Sequence, residues 1–202
     1  MKYGMKWPRL LQFAGLGSLA LLATALPAAA HPGHEPMSGF AAGIQHPLSG
    51  MDHLLAMIAV GLWAGLCGSR REWLWPATFV FSMVAGGVIG MYTMITIPVE
   101  PVILASVMVL GLATALSLRA PLVPGGMLIA VFGMAHGYAH CTEIPQTAQA
   151  LDFGAGFTLM TAALHAMGVL AAAGLRQLRL DFVARFAGGG IVIAGIGLIL
   201  GV

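Results

Sequence analysis

The chain has 202 residues, of which 59% are hydrophobic and 8% charged, and its mean hydropathy is +0.92. Soluble domains carry charge on about a quarter of their residues, so this composition excludes a soluble enzyme, a nucleic-acid-binding protein and a disordered chain. The formal net charge of +2 does not change this conclusion. The chain is predicted to be an all-α integral membrane protein with the lipid bilayer as its main partner.

The first 30 residues have the pattern of a cleavable signal peptide. Both lysines of the chain and one arginine precede the apolar run 10–26, and small residues follow this run up to Ala30. This is the order of a secretory signal and its cleavage site. We expect cleavage after Ala30, and the alternative is that the run remains as an additional span. Cleavage leaves six positive and seven acidic side chains.

Six further apolar runs follow, and each is about as long as a bilayer is thick. About 20 apolar residues cross a membrane as a helix. We therefore expect transmembrane helices at about 40–67, 73–92, 101–118, 122–140, 153–175 and 183–202. They form one six-helix domain over residues 31–202, with no separate soluble domain.

Positive charges alternate along the junctions between these spans. Every second junction carries arginine, at Arg70, Arg71, Arg119, Arg176, Arg179 and Arg185, while Glu100, Glu143 and Asp152 mark the others. Cytoplasmic loops of membrane proteins are enriched in arginine and lysine. We therefore expect a protein of the inner membrane, with the arginine junctions in the cytoplasm and both ends of the mature chain outside.

The first span contains ionisable residues in the run His46-Pro47-Leu48-Ser49-Gly50-Met51-Asp52-His53. Such groups are costly in lipid and usually face a protein interior, where they serve a function. Pro47 removes a backbone donor, and Gly50 further weakens the helix. We therefore expect the first span to be bent or broken at this point.

The fourth span ends with a second polar run, His136-Gly137-Tyr138-Ala139-His140-Cys141-Thr142-Glu143, and His165 lies in the fifth span. On straight helices, Asp52 and His53 lie about 18–20 Å below the outer surface and His136 about 10 Å below it. This spacing predicts a ladder of polar groups from the outer face to the midplane. His165 is also a predicted metal ligand, and the alternative is that it is a hydrogen-bonded packing residue.

Imidazoles and carboxylates are the ligand set of nickel, cobalt and zinc ions. The predicted metal site comprises His46, Asp52, His53, His136 and His140, with Glu143 as a ligand or as a carboxylate that orients a histidine. His31 and His34 are predicted to capture metal outside the membrane, although His34 can equally be a solvated tail residue. No bound cofactor is expected, because the divalent ion is cargo.

These two runs resemble the motifs of the HupE/UreJ family of nickel and cobalt permeases. The first matches H-P-x-x-G-x-D-H in full, and the second resembles F-H-G-x-A-H-G-x-E except at Ala135 and Cys141. The resemblance covers essentially the whole chain after the signal. It implies transport of nickel or cobalt from periplasm to cytoplasm, to supply hydrogenase or urease. The motif residues carry over to His46, Asp52, His53, His136, His140 and Glu143.

Several alternatives stay open at this point. A P-loop is excluded after residue 30, because that part of the chain has no lysine. Transport is then facilitated, proton-coupled or driven by a partner subunit. The rival from another class is an intramembrane zinc-dependent hydrolase that uses the same histidines and aspartate. A metal sensor, a membrane partner of another permease and a homo-oligomer are further options.

Overall fold

The structure is a computed structural model that describes residues 39–69, 73–93, 98–140 and 150–202. Within these ranges every regular element is an α-helix. The helices are α1 Gly39–Ser49, α2 Met51–Cys67, α3 Leu74–Thr93, α4 Glu100–Ala115, α5 Leu122–His140, α6 Ala150–Gln177 and α7 Asp181–Leu200. The predicted signal peptide and the predicted site residues His31, His34 and Glu143 lie outside the described residues.

Most of these helices have the length and composition of membrane spans. Among the described residues, α3, α5, α6 and α7 are each long and apolar enough to cross a bilayer. Helices α1 and α2 pass the same test only as one broken span, and α4, with 16 residues, is shorter. The prediction of an all-α membrane protein is confirmed, whereas the count of six spans stays a prediction.

The first predicted span is broken, as its polar run indicated. Helices α1 and α2 meet at 81°, and Gly50 between them is extended, with φ −97° and ψ 117°. The Ser49 hydroxyl donates a hydrogen bond to the His46 carbonyl oxygen at 2.7 Å, which competes with continuation of the helix. Pro47 lies inside α1, so the helix ends two residues after the proline.

The bundle is built from close helix pairs. Helix α3 packs against α5, both α1 and α2 pack against α6, and α4 packs against α7. A Cβ at Gly137 of α5 would collide with the Met83 carbonyl oxygen of α3, and one at Gly61 of α2 would collide with the His165 carbonyl oxygen of α6. Glycines thus let these backbones approach directly, as small residues do in membrane helices.

Two arginines tie helix ends together at one end of the bundle. Arg176, in the last turn of α6, donates from Nη1 to the Gly65 carbonyl oxygen of α2 at 2.8 Å. Arg185, in the first turns of α7, donates from Nε to the Ala115 carbonyl oxygen of α4 at 3.0 Å. The α2–α3, α4–α5 and α6–α7 junctions, which carry the arginines, therefore lie on the same side of the bundle.

Two tryptophans reinforce the same end. The indole rings of Trp63 in α2 and Trp75 in α3 lie 4.5 Å apart, with an interplanar angle of 36°. Trp63 donates from Nε1 to the Leu118 carbonyl oxygen at 2.7 Å, and Trp75 donates to that of Leu122 at 3.0 Å. This pair links α2 and α3 to the junction between α4 and α5.

Candidate metal centre

Four histidines from α1, α2 and α5 meet in one place. The ring centroid of His140 lies 4.5 Å from that of His46 and 4.3 Å from that of His53. His136, one turn earlier on α5, lies 4.9 Å from the ring of His53. The predicted ladder of depths is therefore wrong, because it assumed a straight first span, whereas α2 turns away from α1 by 81°. These four side chains and Asp52 are called the histidine cluster below.

Asp52 fixes the orientation and the tautomer of His53. Its carboxylate Oδ1 accepts a hydrogen bond from the ring Nδ1 of His53 at 2.7 Å and one from the backbone N–H of His53 at 2.8 Å. An ionised carboxylate only accepts, so Nδ1 carries the proton and Nε2 of the neutral ring keeps its lone pair. That Nε2 is buried and has no hydrogen-bond partner among the described residues. Metal-ligating histidines are backed by carboxylates in this way.

His136 has the same tautomer for a different reason. Its ring is 0% exposed, and Nδ1 donates to the Phe132 carbonyl oxygen one turn earlier at 2.8 Å. A carbonyl oxygen only accepts, so the lone pair of the neutral ring lies on Nε2. Within the described ranges this Nε2 is also buried without a hydrogen-bond partner. Two helices, α2 and α5, thus each contribute one imidazole lone pair to the cluster.

The other two histidines of the cluster bind each other. His46 Nε2 and His140 Nδ1 form a hydrogen bond of 2.9 Å. In the part of the chain that the structure describes, no three His, Cys, Asp or Glu side chains are arranged to hold a metal ion together. The His46–His140 hydrogen bond contributes to this, because it directs two nitrogens at each other instead of at a common point.

Aromatic side chains from α6 and α3 enclose the cluster. Phe153 and Phe157 of α6 are both buried, and the ring of Phe157 lies 4.8 Å from that of His140. Phe79 of α3 contacts the cluster with its ring 5.2 Å from that of His136. None of these phenylalanines was predicted as part of the site, because nothing distinguishes them from the other apolar residues of their spans.

His165, also predicted as a metal ligand, lies apart from the cluster. Its ring packs against Phe79 at 5.0 Å and is 1% exposed. Neither of its ring nitrogens has a hydrogen-bond partner among the described residues. Within those residues, His165 is therefore not the hydrogen-bonded packing residue of the alternative interpretation. Thr161, four residues earlier on the same face of α6, was missed. Its spacing from His165 was the signal that identifies it.

A cavity of about 610 Å³ reaches the histidine cluster. It lies between the C-terminal half of α3, the end of α5 and the first half of α6, and His140 is in its wall. The other lining residues are mostly apolar, among them Met83, Met91, Leu151 and Phe157.

Apolar helices of membrane length and a cluster of four histidines, of which His136 and His140 are buried, characterise a multi-pass helical membrane protein with the ligand chemistry of a divalent-cation site. A model of the HupE/UreJ protein family matches residues 19–198. The chain is similar to Protein HupE of Rhizobium leguminosarum bv. viciae, with 38% identity over 187 residues, which cover 90% of this chain and 95% of that protein. The chain belongs to the HupE/UreJ family. No solved structure matches it.

Family membership decides between two of the predicted classes. The HupE/UreJ family is a family of metal transporters, so this protein is a transporter and not an enzyme. The alternative of an intramembrane zinc-dependent hydrolase receives no support.

Proposed function

We propose that the protein is a permease that carries nickel or cobalt ions from the periplasm to the cytoplasm. The observation that carries this proposal is the pair of imidazole lone pairs, on His53 Nε2 and His136 Nε2, buried in the histidine cluster. Imidazole nitrogen suits nickel, cobalt and zinc. The ions imported in this way supply metalloenzymes such as hydrogenase or urease, as the family resemblance implies.

The proposed binding site comprises His46, Asp52, His53, His136 and His140. His53 and His136 bind the ion first, because their neighbours already hold them in the tautomer that ligates. A further ligand comes from His46 or His140 after the hydrogen bond between the two rings opens. Binding then replaces one hydrogen bond of 2.9 Å with a coordinate bond.

Three predicted residues outside the described ranges have proposed roles on the periplasmic side. His31 and His34 follow the proposed cleavage site and capture metal before it enters the membrane. Glu143 lies three residues after His140 in the sequence and acts as a ligand or as a carboxylate that orients a histidine. The cavity at His140 is the proposed entrance.

The membrane potential suffices to draw the ion inward. A divalent cation gains about 4.6 kcal/mol per 100 mV of inward-negative potential, and sequestration of metal in the cytoplasm adds to this gradient. We therefore propose a facilitator or secondary permease in the inner membrane, with the arginine junctions in the cytoplasm. The shared position of those junctions at one end of the bundle supports this orientation.

The test is nickel transport into liposomes that contain the purified protein and a trapped metal-sensitive dye. We expect transport by the native protein without any added substrate. Asp52→Asn weakens the support of His53 and is expected to lower transport by about 10–100-fold. His53→Ala removes the ligand itself, so its loss is expected to be larger.

The matched control is Asp181→Asn, which removes a carboxylate from the exposed first turn of α7. It is expected to transport nickel at the native rate. Native transport by both His53→Ala and Asp52→Asn, at normal levels of inserted protein, would overturn the site assignment. Binding of nickel without any transport by the native protein would overturn the function itself.

A further inference from the structure

Thr161 and His165 are buried polar side chains one turn apart on α6. They are 0% and 1% exposed, and their spacing of four residues places them on the same face of the helix. The Thr161 hydroxyl and both ring nitrogens of His165 lack a hydrogen-bond partner among the described residues. A buried polar group without a partner destabilises a fold. Packing alone therefore does not explain these two residues.

One phenyl ring connects this pair to the histidine cluster. The ring of Phe79 lies 5.2 Å from that of His136 and 5.0 Å from that of His165, edge-on in both cases. Phe79 is itself 0% exposed. The rings of His136 on α5 and His165 on α6 therefore contact the same phenyl ring.

Two cavities lie along the contact between α3 and α6. The larger, of about 610 Å³, has His140 in its wall and extends to Met91 near the end of α3. The smaller, of about 270 Å³, has His165 in its wall and extends to Trp73, the residue before α3. Ala162 lines both cavities. The two cavities thus approach each other from opposite ends of α3, each with a histidine in its wall.

We propose that Thr161 and His165 form a second binding position for the transported cation, on the cytoplasmic side of the histidine cluster. This inference rests on the proposed function and its orientation. The ion leaves the cluster at His136, passes Phe79 and contacts the polar atoms of the pair. The smaller cavity, which has His165 in its wall, reaches Trp73 beside the α2–α3 junction, so His165 lies toward the end of the bundle that is predicted to be cytoplasmic.

The chemistry of the pair fits a position from which an ion departs. One imidazole and one hydroxyl form a weaker ligand set for nickel or cobalt than several imidazoles with a carboxylate. Conduction requires that the ion bind strongly enough to enter and weakly enough to leave. A decrease in ligand number along the route meets both requirements.

The test compares nickel binding with nickel transport in the same purified variants. Binding is measured by equilibrium dialysis with radioactive nickel, and transport by the dye-loaded liposomes described above. The informative variants are His165→Ala, which removes the imidazole, and Thr161→Val, which keeps the shape and removes the hydroxyl. Thr161→Ser restores a hydroxyl and serves as the rescue. Thr114→Val is the matched control, because the Thr114 hydroxyl is equally buried but has two acceptors, the Leu110 carbonyl oxygen of its own helix at 2.9 Å and the Ala59 carbonyl oxygen of α2 at 3.3 Å.

We expect His165→Ala and Thr161→Val to keep the native nickel affinity of the histidine cluster, whose residues are unchanged, and to transport nickel about tenfold more slowly or worse. Thr161→Ser and Thr114→Val are expected to transport at nearly the native rate. Native transport rates in both His165→Ala and Thr161→Val would overturn the proposal, because water alone then satisfies these polar groups. If His165→Ala does not fold, as judged by thermal unfolding, the comparison of Thr161→Val with Thr161→Ser decides.

The same experiment separates this inference from the proposed function. If the native protein transports nickel and His53→Ala does not, while the Thr161 and His165 variants do, only the second position fails. If the native protein does not transport nickel at all, the proposed function fails first.

Discussion

Two hydrogen-bond acceptors determine which ring nitrogen of His53 and of His136 keeps a lone pair for a cation. The Asp52 carboxylate holds the Nδ1 proton of His53, and the Phe132 carbonyl oxygen holds that of His136. In both rings the lone pair is left on Nε2, buried inside the cluster. The ligating character of these residues therefore depends on their neighbours as much as on the imidazoles themselves.

Removal of His46 is expected to weaken nickel binding less than removal of His53. His46→Ala eliminates one ring but also releases His140 from their mutual hydrogen bond, which the ion otherwise has to break. His53→Ala eliminates a ring that is already held in the ligating tautomer, at an expected cost above the about 10–100-fold in affinity that loss of a supporting carboxylate causes. Equilibrium dialysis of both purified variants measures the difference. An equal or larger loss for His46→Ala would contradict this account.

The residues of the cluster were predictable, but their geometry was not. Ionisable groups inside apolar spans are conspicuous, so His53 and His136 could be identified from the chain alone. Their tautomers depend on a carbonyl oxygen and on a side-chain rotamer, which no sequence pattern specifies. Phe79 was missed because a phenylalanine is an ordinary residue in a membrane helix. Thr161 was missed for the same reason, although its spacing of four residues from His165 was a signal for it.

At the scale of helices, direct backbone contact defines the units of the bundle. Helix α5 carries His136 and His140 and lies against α3 through glycines on both sides of the contact. Helices α1 and α2 lie against α6 in the same way. The histidine cluster forms where α5 meets the break between α1 and α2. The packing of α5 against α3 therefore helps to position His136 and His140 beside the residues of α1 and α2.

Gly137→Ala is expected to destabilise the protein by about 1–3 kcal/mol or more. The added methyl group collides with the Met83 carbonyl oxygen, which belongs to a helix backbone and cannot move aside alone. The matched control is Gly190→Ala in α7, where an added Cβ meets nothing within 4 Å among the described residues. That variant is expected to be more stable by about 0.5–1 kcal/mol. Thermal unfolding in one detergent measures both changes, and a neutral Gly137→Ala would contradict the observed contact.

The break in the first span was predictable, although its exact position was less so. Pro47 and Gly50 both weaken a helix, and either was a candidate for the break. The structure places it at Gly50, because the Ser49 hydroxyl bonds to the His46 carbonyl oxygen at 2.7 Å and the helix stops there. The depth estimate failed for the same reason, since residues beyond a bend no longer advance along the membrane normal.

For the whole molecule, one end of the bundle is held by hydrogen bonds from cationic and indole side chains. Arg176 and Arg185 bind carbonyl oxygens near the C-terminal ends of α2 and α4. Those carbonyls lack a partner within their own helix or carry the negative end of its dipole, so a cation is favourable there. The arginines therefore join helices as well as marking the predicted cytoplasmic side.

Arg176→Gln is expected to lower the stability of the protein by about 1.5–3 kcal/mol. The substitution removes the charged donor that binds the Gly65 carbonyl oxygen at 2.8 Å and links α6 to α2. Arg179→Gln is the matched control, because it removes one positive charge from the same junction at an exposed position. Thermal unfolding of both variants is the measurement. Equal stabilities would show that the charge, and not this hydrogen bond, is what the junction requires.

The overall arrangement could be predicted only in part. Apolar runs indicated the helices, because a span in lipid must be apolar and hydrogen-bonded within itself. Alternating arginines indicated which junctions share a side, because cytoplasmic loops are enriched in arginine. The pairing of α3 with α5 and of α2 with α6 could not be deduced. Glycines spaced four residues apart, such as Gly61 and Gly65, indicate that some backbone comes close without indicating which one.

The two tryptophans in contact at the arginine end provide an internal spectroscopic probe. At a separation of 4.5 Å, the indole transitions of Trp63 and Trp75 couple, and the coupling produces paired bands of opposite sign in the circular dichroism spectrum. Because one ring belongs to α2 and the other to α3, any rotation between these helices changes the intensity of those bands. Movement of the bundle during a transport cycle can thus be followed by light absorption in the unlabelled protein.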